Sequence, residues 1–347
     1  MASGYFSSSY RVDMQIFRSL WIRIWMAMLI VLVLVMPLFI ETHIIYLLTV
    51  AGITIISAIG MNIITGFTGQ ISMAQAAFMG IGAYASAILG NTYGLPFWIT
   101  YPAAGLIAAL ISIILAVPSL RLKGLYLIMS TMAFEVIMEY VFMQWKDLTL
   151  GASGMDAPYP QLGSFVFDRD LSLYYLTLAL VVLALVLASN LMRTKSGRAF
   201  ISIRDHDVAA KIIGINLTKY KIMAFAISSF YAGVAGALYG SVMHHFDPEN
   251  FNMIVSIEYL TIVIIGGMGS ITGTVFGSLF MVTLPEILRA ILDLSESLRN
   301  FMSTHFFDVK ILIFGFMIVI FLIGEPGGLY ALWGRVKTYF RRYPYTY

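Results

Sequence analysis

The sequence predicts an all-α, polytopic integral membrane protein of about ten transmembrane helices. Of its 347 residues 60% are hydrophobic and only 11% are charged, less than half the charged fraction of about 25% usual in soluble proteins. Mean hydropathy is +0.87, and the apolar residues gather in ten runs, most of them close to the length of a bilayer-spanning helix. With this spacing of runs the basic residues between them fall mostly on one side, as the positive-inside rule expects.

The runs are 24–40, 44–65, 73–90, 97–117, 124–143, 173–192, 222–240, 254–268, 271–289 and 309–324. The run 254–268 is short and abuts the next one across glycine and serine. The first follows Arg11, Arg18 and Arg23 and lacks a small-residue cleavage site, which predicts a retained span rather than a signal peptide. With both termini cytoplasmic, segments 1–23, 119–123, 193–221 and 325–347 face inward. They hold all but five of the 21 Lys/Arg, the exceptions being Lys146, Arg169, Arg289, Arg299 and Lys310. A transmembrane domain, 24–324, then lies between a cytoplasmic N-terminal segment (1–23) and a cytoplasmic tail (325–347). Outside, 144–172 mixes glycine, proline and aromatics and should fold as a compact cap, and 290–308 reads as a short amphipathic helix at the outer interface. The tail interleaves Trp333, Tyr339, Tyr343, Tyr345 and Tyr347 with Arg335, Lys337, Arg341 and Arg342, the pattern of an anchor in lipid.

Segment 193–221 is polar, basic and 29 residues long, with Arg193, Lys195, Arg198, Arg204, Lys211, Lys219 and Lys221 against Asp205 and Asp207. A turn between two spans needs only a few residues, so this length and its helix-forming character predict a docking surface for a cytoplasmic partner.

A glycine pattern recurs 200 residues apart. Gly66-Phe67-Thr68-Gly69-Gln70-Ile71-Ser72 lines up with Gly266-Gly267-Met268-Gly269-Ser270-Ile271-Thr272, and each interrupts an apolar stretch. Glycine frees backbone groups that hydrocarbon cannot satisfy, so such breaks survive only inside protein or beside a water-filled cavity. Paired Gly-broken segments in two halves of a chain point to a transport path. On that reading Thr68, Gly69, Gln70 and Ser72, with Gly267, Gly269 and Ser270, line or shape the path; the alternative is tight packing beside it. Gly80, Gly82, Gly233, Gly236 and Gly273 through Gly277 are read as packing glycines.

Ionisable residues inside spans are costly unless paired or hydrated. Glu135 and Glu139 share one helical face, Glu258 enters the eighth run, and Glu286 follows Pro285. No intramembrane Lys, Arg or His is expected opposite them, which favours hydrated contacts with neighbouring helices or a partner over a proton relay. His244, His245, Asp247 and Glu249 sit on a polar outer turn, and no metal site is expected there. The chain has no cysteine, which removes thiolate-metal and disulfide chemistry. It has no G-x-x-x-x-G-K-[ST] phosphate loop, so it supplies no ATP hydrolysis of its own.

Three stretches carry a resemblance: GMNIITGFTGQISMAQAAFMGIGAYASAIL (60–89), SGRAFISIRDHDVAAKIIGINLTKYKIMAFAISSFYAGVAGALYG (196–240) and SIEYLTIVIIGGMGSITGTVFGS (256–278). In this order they resemble the branched-chain amino acid permease family of ABC importers, and the span number and long outer segment are similar to the LivM-type subunit rather than the shorter LivH-type. The resemblance implies that 198–214 couples to an ATPase. Ala209, Ala210 and Gly214 keep the Ala-Ala-x-x-x-Gly spacing of the family's E-A-A-x-x-x-G coupling motif, with Val208 where the glutamate stands. Arg198, Arg204, Asp205 and Asp207 flank it, the two acids favouring the start of such a helix and Gly214 providing its stop. The implied partners are two cytoplasmic ATPases that bind ATP and Mg, a LivH-like second permease and an extracytoplasmic amino-acid-binding protein. No cofactor in this chain and no nucleic acid are expected. The implied location is the plasma (inner) membrane of a prokaryote, and the implied cargo branched-chain or related small amino acids. An importer of the same family for amides or urea, an ion-coupled secondary transporter, and an intramembrane enzyme are the rivals. The last would need a nucleophile–base pair or metal cluster within the spans, and the sequence offers neither.

Overall fold

The computed structural model describes residues 20–119, 122, 124–163, 165–292, 296–325 and 327–342. Arg11, Arg18, Asp293, Tyr343, Tyr345, Tyr347 and most of the 119–123 connection lie outside the described residues.

Every apolar run becomes a helix. They are α1 (Leu20–Val35), α2 (Thr42–Met61, prolonged by a π-helical turn, Asn62–Phe67), α3 (Gln75–Tyr93), α4 (Phe97–Ser119), α5 (Leu125–Gln144) and α6 (Asp170–Arg193). The polar segment folds as α7 (Lys195–Asp205) and α8 (Asp207–Ile212). After it come α9 (Leu217–Met243), α10 (Met253–Gly266), α11 (Ile271–Leu292), α12 (Glu296–Gly324) and α13 (Gly328–Arg342). Among the described residues, seven helices are long and apolar enough to cross a membrane, or eight if the bent pair Asp308–Gly324 and Gly328–Thr338 is one span. That is fewer than the ten predicted. The described part of α1 has 16 residues, and the residues before Leu20 lie outside the described ones. α3 is rich in glycine, alanine and polar residues and is mostly buried by other helices; its surroundings are protein rather than lipid.

α9 is the central post, packed against α2, α3 and α4. Small residues allow this: a Cβ on Gly82 would run into the backbone of Gly233, and one on Gly236 into the backbone of Met79. α10 and α11 form a second close pair, with Gly266 against Gly273 and Gly277 against Ile262. Gly82, Gly233, Gly236, Gly273 and Gly277 do the packing read for them from the sequence. Outward faces are apolar at helical spacing, as with Leu106, Leu110 and Ile114 on α4, the stripe that lipid covers.

The cap over 144–169 is held by short pairings. Strand β1 (Met155–Asp156) pairs antiparallel with β4 (His245–Phe246), and β2 (Gln161–Leu162) with β3 (Phe165–Val166). Asp156 Oδ1 lies 2.7 Å from His245 Nδ1, and His244 packs on the ring of Tyr159, so these histidines tie the cap to the α9–α10 connection. The separate helix expected over 290–308 is not formed. α11 runs on to Leu292 and α12 begins at Glu296 and continues unbroken into the apolar run, because a helix passes through charged residues wherever they can find partners or water.

Candidate functional site

The two glycine breaks meet at the end of the bundle that carries α7 and α8, hereafter the basic end. The first break opens as α2 loosens into its π-helical turn, a distortion frequent at functional sites. Thr68 Oγ1 donates to Ile63 O at 2.9 Å and Gln70 N to Ile64 O at 3.0 Å, closing the turn on itself. The chain then turns back between the helices in non-helical form over 68–74. Ser72 and Gln70 are buried, and Gln70 Nε2 has no hydrogen-bond partner. α3 starts deep in the bundle: Gln75 Nε2 donates to Ser57 O at 2.8 Å, beside a residue about 15 Å back from the end of the π turn.

A helix start placed there exposes amides that need acceptors. Ala77 N donates to Glu135 Oε2 at 2.9 Å, Ala76 N to Ser256 Oγ at 2.8 Å, and Met73 N to Thr131 Oγ1 at 3.0 Å. Ser256 Oγ also donates to Glu135 Oε2 at 3.2 Å. Glu135, wholly buried, is therefore a cap supplied by α5 to the broken start of α3. Glu139, one turn on, is only half-buried.

The second break is a tight turn. Gly267 and Gly269 have φ of +116° and +79°, backbone that glycine adopts without strain. Ser270 Oγ accepts from Gly273 N at 3.0 Å and caps α11 locally. Asn62, in the π turn, joins the breaks. Its Nδ2 donates to Thr274 Oγ1 at 2.7 Å and Ser270 O at 3.0 Å, and its Oδ1 accepts from Gly269 N at 2.9 Å. The closeness demands glycine at 66, where a Cβ would strike Asn62 Oδ1 and Gly269 N. Asn62 escaped the sequence reading; its signal was a carboxamide set in a long apolar run, four residues before Gly66.

Arg204, the penultimate residue of α7, reaches this joint. Its Nη1 donates to Gly66 O at 3.0 Å. A Cβ on Gly269 would lie 2.5 Å from Arg204 Nη1, and one on Gly69 3.1 Å from its Cγ. Thr68, Gly69 and Gln70 share a cavity of about 250 Å³ with Arg204, Asp205 and Asp207. Five of the seven predicted path residues (Thr68, Gly69, Gln70, Gly269 and Ser270) thus lie at one joint with the polar segment. Gly267 faces the start of α13, where a Cβ would meet Gly327 O at 2.6 Å, and Ser72 lies further into the bundle.

The polar segment is built as a bracket. Thr194 caps α7 by accepting from Gly197 N at 3.4 Å, and Asn216 caps α9 by accepting from Lys219 N at 3.1 Å. Asp207 begins α8 as expected, but Asp205 ends α7, where the dipole disfavours it, and pairs with Arg204 at 3.2 Å. Gly214, at φ +89°, stops α8, with Ile215 N donating to Ala210 O at 3.0 Å. Ala210 is buried and Ala209 exposed. Arg198 is exposed, its Nη1 on Arg193 O at 3.1 Å. Around the tip, Val208, Ile212 and Ile213 are 65%, 80% and 72% exposed, an apolar face on an otherwise basic segment.

One expectation is overturned. Lys310 of α12 stands opposite Glu258 of α10 at 2.7 Å, and Glu286 is paired with Arg289 at 3.2 Å and His43 at 3.6 Å. The sequence reading placed Lys310 at the outer edge of the run 309–324 and set no basic residue opposite the intramembrane acids, but α12 carries it against α10. Among the described residues, no group of three His, Asp or Glu could hold a metal.

Broken helices locked to each other and to a basic bracket are the parts of a membrane permease, a machine that moves rather than one that makes or breaks bonds. The model of the branched-chain amino acid transport system permease component family matches residues 43–322, and the chain belongs to that family. It is 30% identical over 331 residues to the high-affinity branched-chain amino acid transport system permease protein LivM of Escherichia coli K12, covering 88% of this chain and 74% of that one. The LivH protein of the same organism is 23% identical over 291 residues, covering 78% and 89%. The ribose import permease protein RbsC of Haemophilus influenzae is 22% identical over 263 residues, covering 73% and 79%. No solved structure matches the chain.

Proposed function

We propose that the chain is a translocation subunit of a binding-protein-dependent ABC importer that brings branched-chain or related small amino acids into a prokaryotic cell across its plasma (inner) membrane. In this reading α1 and α3 complete a set of ten spans, both termini and the basic end are cytoplasmic, and the cap faces outward. The permease domain is 24–324, flanked by the N-terminal segment and the tail. Two cytoplasmic ATPases hold ATP and Mg, this chain needing no cofactor. A LivH-like subunit forms the other half of the pore, and an extracytoplasmic binding protein delivers the cargo.

The observation that carries the mechanism is Arg204. It belongs to the bracket an ATPase would push, through the exposed Val208, Ile212 and Ile213, and it donates to the first glycine break where Asn62 holds the second. Displacement of α7 and α8 on ATP binding would shift both breaks together, a shear of packed elements rather than a local wobble. Thr68, Gly69, Gln70, Ser72, Gly267, Gly269 and Ser270 then shape the cytoplasmic mouth of the path.

The test is to purify the chain from its native host in mild detergent and identify stoichiometric partners by mass spectrometry. Two phosphate-loop ATPases and a second permease support the reading. A chain that emerges alone and transports in liposomes under an ion gradient overturns it.

A further inference from the structure

A second cavity, of about 410 Å³, lies in the cap-end half of the bundle among α2, α9, α10, α11 and α12. Its size falls within the roughly 300–1,000 Å³ of small-molecule sites. Much of its wall is apolar, with Val50, Ile53, Ile262, Met281 and Phe314 among the lining residues. Into this wall project the carboxylate of Glu258 and the ammonium of Lys310, 2.7 Å apart and only 25% and 22% exposed. Lys310 Nζ also sits 5.2 Å from the centre of the Phe314 ring, a favourable position for a cation. The third charged group on the wall, Glu286, has its own partners in Arg289 and His43. One fixed positive and one fixed negative charge are thus left to face a guest.

We propose that this cavity is a transient site for a zwitterionic, apolar amino acid within this subunit. The α-carboxylate pairs with Lys310, the α-ammonium with Glu258, and the aliphatic side chain lies among Val50, Ile53 and Ile262. The assignment rests on the reading of the chain as an amino-acid permease and adds a place within it where cargo pauses. The two fixed charges satisfy each other. A zwitterion entering between them gives each a new partner of the same sign as the old, so no charge is left bare. A cation or an anion inserted between them would leave one buried charge unmatched, at several kcal/mol, and an uncharged apolar solute would gain nothing from the pair. The exchange of one pairing for two similar ones also keeps affinity low, which a site on a path requires if cargo is to leave it. A zwitterionic lipid headgroup offers the same ammonium beside an anionic group, and the experiment separates the two.

The assembled importer, without its binding protein, is placed in phosphatidylglycerol nanodiscs and its equilibrium binding of radiolabelled L-leucine is measured. The expected result is saturable binding displaced by L-isoleucine. Isoamylamine and 4-methylpentanoate, which keep the side chain but lack one charge, displace it poorly. Lys310→Gln weakens leucine binding by about tenfold or more, as loss of a charge-assisted bond implies, while strengthening the weak binding of isoamylamine, whose ammonium then pairs with Glu258 and leaves no cation unmatched. Glu258→Gln does the reverse, weakening leucine binding and strengthening that of 4-methylpentanoate. A purely structural ion pair would not produce that split. Equal displacement by all three compounds, which needs no variant, overturns the site, as does unchanged leucine binding in both assembled variants. Loss of leucine binding when phosphatidylethanolamine is added assigns the cavity to lipid and also overturns it. ATP-dependent uptake by the wild-type assembly with its binding protein is read alongside. Uptake without nanodisc binding removes the site alone, and no uptake of any amino acid removes the permease reading with it.

Discussion

The two glycine breaks are spelled almost alike and built differently. Both read G-x-x-G-[Q/S]-I-[S/T], yet 266–270 is a tight turn between α10 and α11, while 66–74 loosens a helix, turns back and restarts it deep in the bundle. The second break caps itself, with Ser270 accepting from Gly273 N. The first borrows its caps from elsewhere, Glu135 from α5 and Ser256 from α10. A locally capped turn is held to its surroundings chiefly through Asn62. A borrowed one ties three helices together, so displacement there must be shared by all of them.

The comparison can be broken hardest at Gly66, where the breaks touch. Gly66→Leu should abolish a stably folded subunit, because the new side chain enters the space of Asn62 and of the Gly269 amide; overpacking alone costs about 1–3 kcal/mol before the Asn62 bonds are lost. Recovery of monodisperse protein at wild-type yield would contradict this.

Next in size is the difference between borrowed and local caps. Glu135→Leu strands the Ala77 amide and the Ser256 hydroxyl, each costing about 1–3 kcal/mol when buried unpaired. Glu135→Gln, which keeps an acceptor for Ala77, should cost less. Ser270→Ala should cost about 1 kcal/mol, the usual worth of a local cap. Thermal unfolding in detergent ranks the three, and a Ser270→Ala loss as large as that of Glu135→Leu would erase the distinction.

Smaller effects on stability, but not on transport, are expected one step from the contact. Gly69→Val and Gly269→Val meet the flexible side chain of Arg204 and strain backbones at φ +71° and +79°. Assembly should survive and uptake should fall, and normal uptake in both variants would remove these glycines from the path. Arg204→Gln should retain ATP hydrolysis but move fewer amino acids per ATP, measured as the ratio of uptake to phosphate release. An unchanged ratio would separate the bracket from the breaks.

The sequence reading saw both breaks, because glycine in an apolar run is conspicuous, and it saw the bracket, because 29 polar residues between spans are. It could not see what faces what. Asn62 and Gly269 are neighbours 207 positions apart, and a lone carboxamide in a hydrophobic run has no periodicity to betray its partner. Lys310 was placed at the edge of the run 309–324 with no acid assigned to it, because hydropathy locates a span without saying which neighbour it faces, and only the packing of α12 on α10 delivers that charge to Glu258. α3 read as apolar because its small residues score so, and that protein rather than lipid surrounds it is visible only in the fold. Glu135 was visible as a buried acid, but its role as a cap depends on where α3 begins, which only the fold reveals.

The most direct test of the central claim, that α7 and α8 form an ATPase-docking bracket on the cytoplasmic side, uses the absence of cysteine from the chain. Ile212→Cys introduces its only thiol, at the most exposed apolar position of the tip, and a thiol-to-amine cross-linker is applied to the importer in native vesicles. The account predicts an adduct with a phosphate-loop ATPase, and a thiol that resists an impermeant maleimide added outside sealed right-side-out vesicles. A thiol that reacts readily from outside and yields no ATPase adduct would contradict it.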